Sequence, residues 1–138
     1  MKKIIEGFSN DMRREIWSCF ILAKSQLVRE KYMSFINEEV NLKISTDIEL
    51  DAKHTFSSIP KFTETHSTDL SNLLKTCSLY DPEVGYCRGM SYVAAILLLY
   101  IQNEATAFSI LVSFMHKFNW HILYIKDMPK LIQLINTL

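Results

Sequence analysis

The fold is decided by the stretch from Asp81 to Ile101, which reads Asp-Pro-Glu-Val-Gly-Tyr-Cys-Arg-Gly-Met-Ser-Tyr-Val-Ala-Ala-Ile-Leu-Leu-Leu-Tyr-Ile. Pro82 and Gly85 predict a turn, and the polar segment Tyr86-Cys87-Arg88-Gly89 leads from it into an almost wholly apolar helix. A helix that is apolar on every side is buried, so we expect the rest of the chain to wrap this one. The polar segment at its N-terminal end is where a surface site would lie.

Composition limits the class of protein. The chain has 138 residues, of which 49% are hydrophobic, and it contains only three glycines and three prolines. These values favour a folded helical domain over a disordered chain. Lys and Arg number 15, as do Asp and Glu, so the formal net charge is zero. Because a protein that binds phosphate backbones is normally basic, nucleic acid is not an expected partner.

Three features favour a cytoplasmic protein that does not insert into a membrane. The three cysteines, Cys19, Cys77 and Cys87, are odd in number and far apart, as is typical of reduced thiols. No apolar segment follows the basic N-terminal residues, so no secretory signal is predicted. The apolar run from Tyr92 to Ile101 has about half the length that a bilayer-spanning helix needs.

Apolar residues recur at helical spacing along most of the chain. The pattern begins after the N-cap candidates Ser9 and Asn10, and a polar stretch from His54 to Ser67 interrupts it as the longest predicted loop. Asn103 and Asp127 are further N-cap candidates. We therefore predict a single all-α domain over residues 1–138 with roughly seven or eight helices. The last apolar pattern reaches Leu138 without a stop signal, and we expect sequence to follow it downstream.

General catalytic and nucleotide-binding motifs are absent from the sequence. It contains no GxxxxGK[ST], GxGxxG, HExxH or GxSxG pattern. The four histidines, His54, His66, His116 and His121, lack the spacing of metal ligands. We therefore expect neither a metal site nor a bound cofactor.

Three short patterns occur in a defined order. Arg13 and Trp17 lie four residues apart. Ile48, Asp51 and His54 follow one another at intervals of three, and Thr55 comes directly after His54. The third pattern, Gly85-Tyr86-Cys87-Arg88-Gly89-Met90, opens the apolar helix.

In this order, the patterns resemble the motifs of the TBC domain, the Rab GTPase-activating family, over about residue 7 to the end of the chain. That family shows RxxxW, then IxxDxxR followed by Thr, then YxQ within GYxQGM. The resemblance implies an all-helical TBC domain, of which this chain looks like the N-terminal two-thirds. It also implies that the partner is a Rab GTPase, which itself holds GTP and Mg²⁺.

The family's activity needs two side chains that enter the partner's nucleotide site. The arginine of IxxDxxR neutralises charge on the transferred phosphoryl group, and such arginines are worth about 10³ to 10⁵ in rate. The glutamine of YxQ orients the attacking water. In this sequence His54 stands at the arginine position and Arg88 at the glutamine position. Histidine lacks the guanidinium fork and its reach, and arginine has five donors but no acceptor for a water proton.

The other motif residues are expected to support these two positions. By the resemblance, Trp17 anchors the core, Arg13 and Asp51 make polar contacts that hold the loop, and Tyr86 packs at the start of the apolar helix. The full supporting set is Arg13, Trp17, Ile48, Asp51, Thr55, Gly85, Tyr86 and Gly89.

The leading interpretation is a Rab regulator in membrane trafficking that binds a Rab GTPase but is impaired in stimulating GTP hydrolysis. A rearranged site, in which Arg88 or Lys53 supplies the missing cation, is one alternative. Another is a working GTPase-activating protein, and a further one is a helical scaffold without GTPase contact. The expected location is the cytoplasm, with attachment to endomembranes through the Rab.

Overall fold

The computed structural model describes residues 12, 25–60, 62–101, 103–117, 119–125 and 129–137. Within these ranges the chain forms seven helices and no strand, which confirms the all-α prediction. Their bounds are α1 Ser25–Phe35, α2 Leu42–His54, α3 Glu64–Tyr80, α4 Met90–Tyr100, α5 Glu104–Lys117, α6 His121–Tyr124 and α7 Pro129–Ile135. No helix among them is both long and apolar enough to cross a bilayer.

Helix caps explain where two of these helices begin. The Asn41 side chain accepts a 3.0 Å hydrogen bond from the backbone N–H of Lys43 at the start of α2. The Asn103 side chain, predicted as a cap, accepts one of 2.9 Å from the N–H of Thr106 in α5. Each bond satisfies a backbone donor that the first helical turn leaves unpaired. Apart from Met12, the helix predicted after Ser9 and Asn10 lies outside the described residues. The predicted cap Asp127 lies outside them as well.

The predicted loop from His54 to Ser67 is too long at both ends. Helix α2 continues through His54, and α3 begins at Glu64. The first turn of α3 is polar and lies at the surface, so it has no apolar residue whose spacing would reveal a helix.

Helix α3 has the most extensive contacts in the core, since it packs against α1, α2, α4 and α5. Its apolar face, Leu70, Leu73 and Leu74, is fully buried, together with Ile48 of α2. Helix α4 packs against α2, α3 and α5. The prediction that the rest of the chain wraps α4 is therefore correct only in part, because α3 packs against more helices than α4 does.

The prediction that α4 is buried on every side is wrong for one face. Tyr92 is 50% exposed and Ile96 is 42% exposed, whereas Ala94, Ala95 and Leu98 are buried. A uniformly apolar sequence shows that a helix is hydrophobic, but it contains no signal for which face its neighbours cover.

Polar contacts join α1 to the start of α5. The Tyr32 hydroxyl group donates a hydrogen bond to the Glu104 carboxylate, and the Arg29 guanidinium donates one to the Thr106 hydroxyl group. Burial, followed by the neighbouring Glu104 carboxylate, raises the pKa of Tyr32. These bonds satisfy polar groups at the junction of the two helices.

Candidate functional site

The two motifs that contain His54 and Arg88 meet at Asp51. This residue lies on α2, three positions before His54. Its Oδ2 atom accepts a 2.6 Å hydrogen bond from the Tyr86 hydroxyl group, and its Oδ1 atom lies 3.7 Å from Nε of Arg88. The end of α2 is therefore connected to the polar segment that precedes α4.

The last turn of α2 determines how this motif is presented. Ile48 is fully buried and anchors the helix in the core. The Thr55 backbone N–H and hydroxyl group both donate to the Asp51 carbonyl oxygen, at 2.8 and 2.6 Å. Thr55 thus ends the helix with a buried side chain, and His54 is the last helical residue and is exposed.

The backbone turns sharply after Thr55, at Phe56. Phe56 has a φ of 53°, in the left-handed region that a bulky residue rarely adopts. Its ring contacts Phe62 and Tyr92, with centroid separations of 6.1 and 5.4 Å. The turn beside His54 is therefore held against α4 by aromatic packing. Sequence reasoning missed this turn because residue 56 is neither Gly nor Asn, the residues that normally indicate a left-handed conformation.

Two glycines shape the polar segment before α4. Gly85 has a φ of 60° and Gly89 a φ of 95°, and Gly89 is the N-cap residue of α4. Between them Tyr86 is partly buried and packs against the core. Burial raises the pKa of the Tyr86 hydroxyl group, and its hydrogen bond to the Asp51 carboxylate raises it further.

The two motifs expose three side chains that can carry a positive charge. Lys53, His54 and Arg88 are all exposed, and the Arg88 side chain is 78% accessible to solvent. Asp51 is 20% exposed and carries the opposing charge. Guanidinium and ammonium groups bind anionic oxygens, but they have no lone pair with which to accept a proton from water. The Arg88 and Lys53 side chains are therefore suited to binding anionic oxygens and not to accepting a proton.

The described residues enclose a small cavity but do not form a metal site. A cavity of about 20 Å³ lies among Cys77, Met90, Leu111 and Met115, which is space for one water molecule. In the same ranges no three His, Cys, Asp or Glu side chains come together as a metal site. Arg13 and Trp17, the first predicted motif, fall outside the residues that the structure describes.

The Rab-GTPase-TBC domain family matches residues 10–138. This match covers nearly the whole chain, so the chain belongs to the TBC family, as the motif resemblance indicated. The fold agrees, since the chain is similar to the crystal structure of the Chlamydomonas flagellar RabGAP TBC domain with a TM-score of 0.69 and 24% sequence identity. That similarity covers 95% of this chain and 47% of the other.

Relatives in fungi and animals are similar over most of this chain. GTPase-activating protein GYP5 of Eremothecium gossypii is 33% identical over 131 residues, which cover 94% of this chain and 15% of that protein. GYP5 of Saccharomyces cerevisiae is 32% identical, covering 96% and 14%. TBC1 domain family member 4 of Mus musculus is 33% identical, covering 91% and 10%. The chain therefore spans about a seventh or less of the length of these relatives.

Proposed function

We propose that residues 1–138 form a single TBC unit that binds a Rab GTPase in membrane trafficking and is impaired in stimulating GTP hydrolysis. Membership of the family and the GTPase-activating relatives support GTPase binding. One observation carries the impairment. The two positions that the family uses for catalysis hold His54 and Arg88, and both side chains are exposed at the surface around Asp51.

The replacement at residue 54 removes the phosphate-neutralising group. Arginine has a permanent positive charge and a planar fork of donors that matches two phosphate oxygens at once. The His54 imidazole is shorter and has only two ring nitrogens, so it cannot make the paired contact. Because His54 is the last residue of α2, its backbone is held by the helix and cannot extend to compensate.

The replacement at residue 88 removes the group that orients water. A glutamine amide accepts a hydrogen bond with its oxygen and donates with its nitrogen. Arg88 only donates, and its Nε faces Asp51 at 3.7 Å. The attacking water would therefore lack an acceptor from this chain, and hydrolysis would depend on the GTPase's own residues.

Two other functions follow from particular observations. The GYP5 relatives are called GTPase-activating proteins, which favours a working activator. A helical scaffold without GTPase contact would also retain the buried core that the structure shows. In the leading proposal the protein is cytoplasmic and reaches endomembranes through the Rab, so depletion of that Rab should remove its membrane staining.

Single-turnover GTP hydrolysis by a panel of Rab proteins tests the proposal. The intact protein is compared with His54→Arg, with Arg88→Gln and with the double variant. We expect the wild type to accelerate hydrolysis weakly and the double variant to gain about 10³-fold or more, the range known for arginine fingers. Wild-type acceleration equal to that of the double variant would refute impairment.

Binding separates the scaffold from the other functions. Each Rab is loaded with GDP or with a GTP analogue that cannot be hydrolysed, and the Kd for the wild type is measured. We expect at least one Rab to bind, with preference for the GTP-like state. A wild type that binds no Rab in either state, while remaining folded by circular dichroism, would support the scaffold instead.

A further inference from the structure

We propose that Arg88 binds an anionic phosphate oxygen of the nucleotide in the docked GTPase, and that its weak ion pair with Asp51 opens on docking. This inference rests on the proposed function and adds a role for the substituted residue. It predicts that the chain recognises the GTP-bound state of its partner through an arginine at the position where the family has a glutamine.

The Arg88 side chain is held only loosely in the free protein. Its Nε lies 3.7 Å from Asp51 Oδ1, beyond the range of about 2.7–3.2 Å for a normal N–H···O hydrogen bond. The side chain is 78% exposed, and an ion pair at such a surface is weak. Among the described residues, no hydrogen bond to its two terminal nitrogens is found. Those donors are therefore available to a ligand.

Asp51, in contrast, is firmly held. Its Oδ2 accepts the 2.6 Å bond from Tyr86, and its backbone carbonyl oxygen accepts two bonds from Thr55. If Arg88 moves to a ligand, the Asp51 carboxylate keeps the Tyr86 bond and remains 20% exposed to water. No buried charge is left without a partner, so releasing Arg88 costs little.

The chemistry of the freed group matches phosphate. A guanidinium group binds two phosphate oxygens through parallel N–H bonds, and a carboxylate that contacts it only through Nε leaves that pair of donors open. Because Arg88 cannot orient water, this contact would stabilise the GTP-bound complex without accelerating hydrolysis in proportion. The substitution would thus convert a catalytic position into a binding position.

Removing the side chain gives the primary test. Wild type, Arg88→Ala and Arg88→Lys are titrated with the Rab that binds best, loaded with a non-hydrolysable GTP analogue or with GDP. We expect Arg88→Ala to weaken binding of the GTP-analogue state by about tenfold and of the GDP state by less than about twofold. Arg88→Lys should recover part of the loss. Lys43→Ala, which removes an exposed cation at the opposite end of α2, is the matched control and should affect both states alike.

Removing the charge on Asp51, which frees the Arg88 side chain, gives the second test. In Asp51→Asn the amide oxygen can still accept from Tyr86, but the charge that attracts Arg88 is lost. We expect tighter binding of the GTP-analogue state, and no such gain when Arg88→Ala is also present. Tyr86→Phe, which leaves the Asp51 charge in place, should not reproduce this gain. Melting curves verify that each variant is folded.

Three results would overturn the inference. Equal binding by wild type and Arg88→Ala would show that Arg88 makes no contact, while the proposed function would stand. An equal loss for both nucleotide states would assign Arg88 to a carboxylate or another surface group of the partner. If the folded wild type binds no Rab, the proposed function itself fails.

Discussion

The Tyr86 hydroxyl group donates a 2.6 Å hydrogen bond to the Asp51 carboxylate across 35 positions of sequence. The contact joins the last turns of α2 to the segment that opens α4, and these two regions hold His54 and Arg88. Tyr86 is partly buried, so the geometry of the two segments that hold His54 and Arg88 depends on a polar contact at the edge of the core.

Removing this hydroxyl group should destabilise the fold. We expect Tyr86→Phe to lower the free energy of unfolding by about 1–2 kcal/mol, because the bond has a charged acceptor and is partly shielded from water. Urea denaturation measures the change. Tyr92→Phe is the matched control, since the Tyr92 side chain is half exposed and its change should stay within about 0.5 kcal/mol. Equal effects of the two variants would show that the bond contributes nothing specific.

The same hydroxyl group makes stability depend on alkaline pH. The pKa of Tyr86 is raised by burial and by Asp51, and the pKa of Tyr32 is raised by burial and by Glu104. Above about pH 10 the unfolded chain loses these protons while the folded chain keeps them. The unfolded state then binds fewer protons, so the free energy of unfolding falls as pH rises.

Denaturation at a series of pH values from about 8 to 11 tests this dependence. Tyr86→Phe removes one of the titrating groups, so its stability should fall less steeply than that of the wild type. A Tyr86→Phe slope as steep as that of the wild type would contradict the assignment.

At position 56 a glycine variant should be more stable than an alanine variant, which is the reverse of the usual order. Phe56→Ala loses the aromatic contacts but keeps the left-handed strain, so we expect a loss of about 2 kcal/mol. Phe56→Gly loses the same contacts but relieves the strain, and it should be about 1 kcal/mol more stable than Phe56→Ala. Ser57, which has no positive φ, is the control, and there glycine should be less stable than alanine. If the glycine variant is less stable than the alanine variant at both positions, the backbone at Phe56 is not strained.

Gly89 should tolerate a side chain poorly despite open space around it. A Cβ atom at Gly89 would meet nothing within 4 Å, so the cost of Gly89→Ala comes only from its φ of 95°. We expect about 1–2 kcal/mol. Gly85→Ala should cost less, because a φ of 60° lies inside the left-handed region and the nearest atom is 4.0 Å away. Unfolding curves compare the two, and a larger cost at Gly85 would contradict the conformational explanation.

Much of the architecture could be read from local patterns. Apolar spacing predicted helices along most of the chain, and Asn103 was predicted as a cap. These signals are local because a helix depends on residues three and four apart. The start of α3 at Glu64 was missed, since its polar first turn has no apolar spacing.

The candidate site was less accessible to such reasoning. Motif resemblance selected the candidate residues, and it predicted that His54 and Arg88 stand at the two catalytic positions of the family. It did not reveal that Arg88 faces Asp51, or that Phe56 adopts a left-handed turn against Tyr92. Both facts depend on how α2 and α4 pack together, and that packing joins residues far apart in the chain.

The helical class, the family and the two unusual residues thus follow from the order of the amino acids alone, because periodicity and motif spacing are properties of neighbouring positions. Tertiary structure decided which face of α4 stays exposed and which partner Arg88 meets. The reason is physical. Burial and ion pairing depend on distances between helices, and those distances result from packing the whole core.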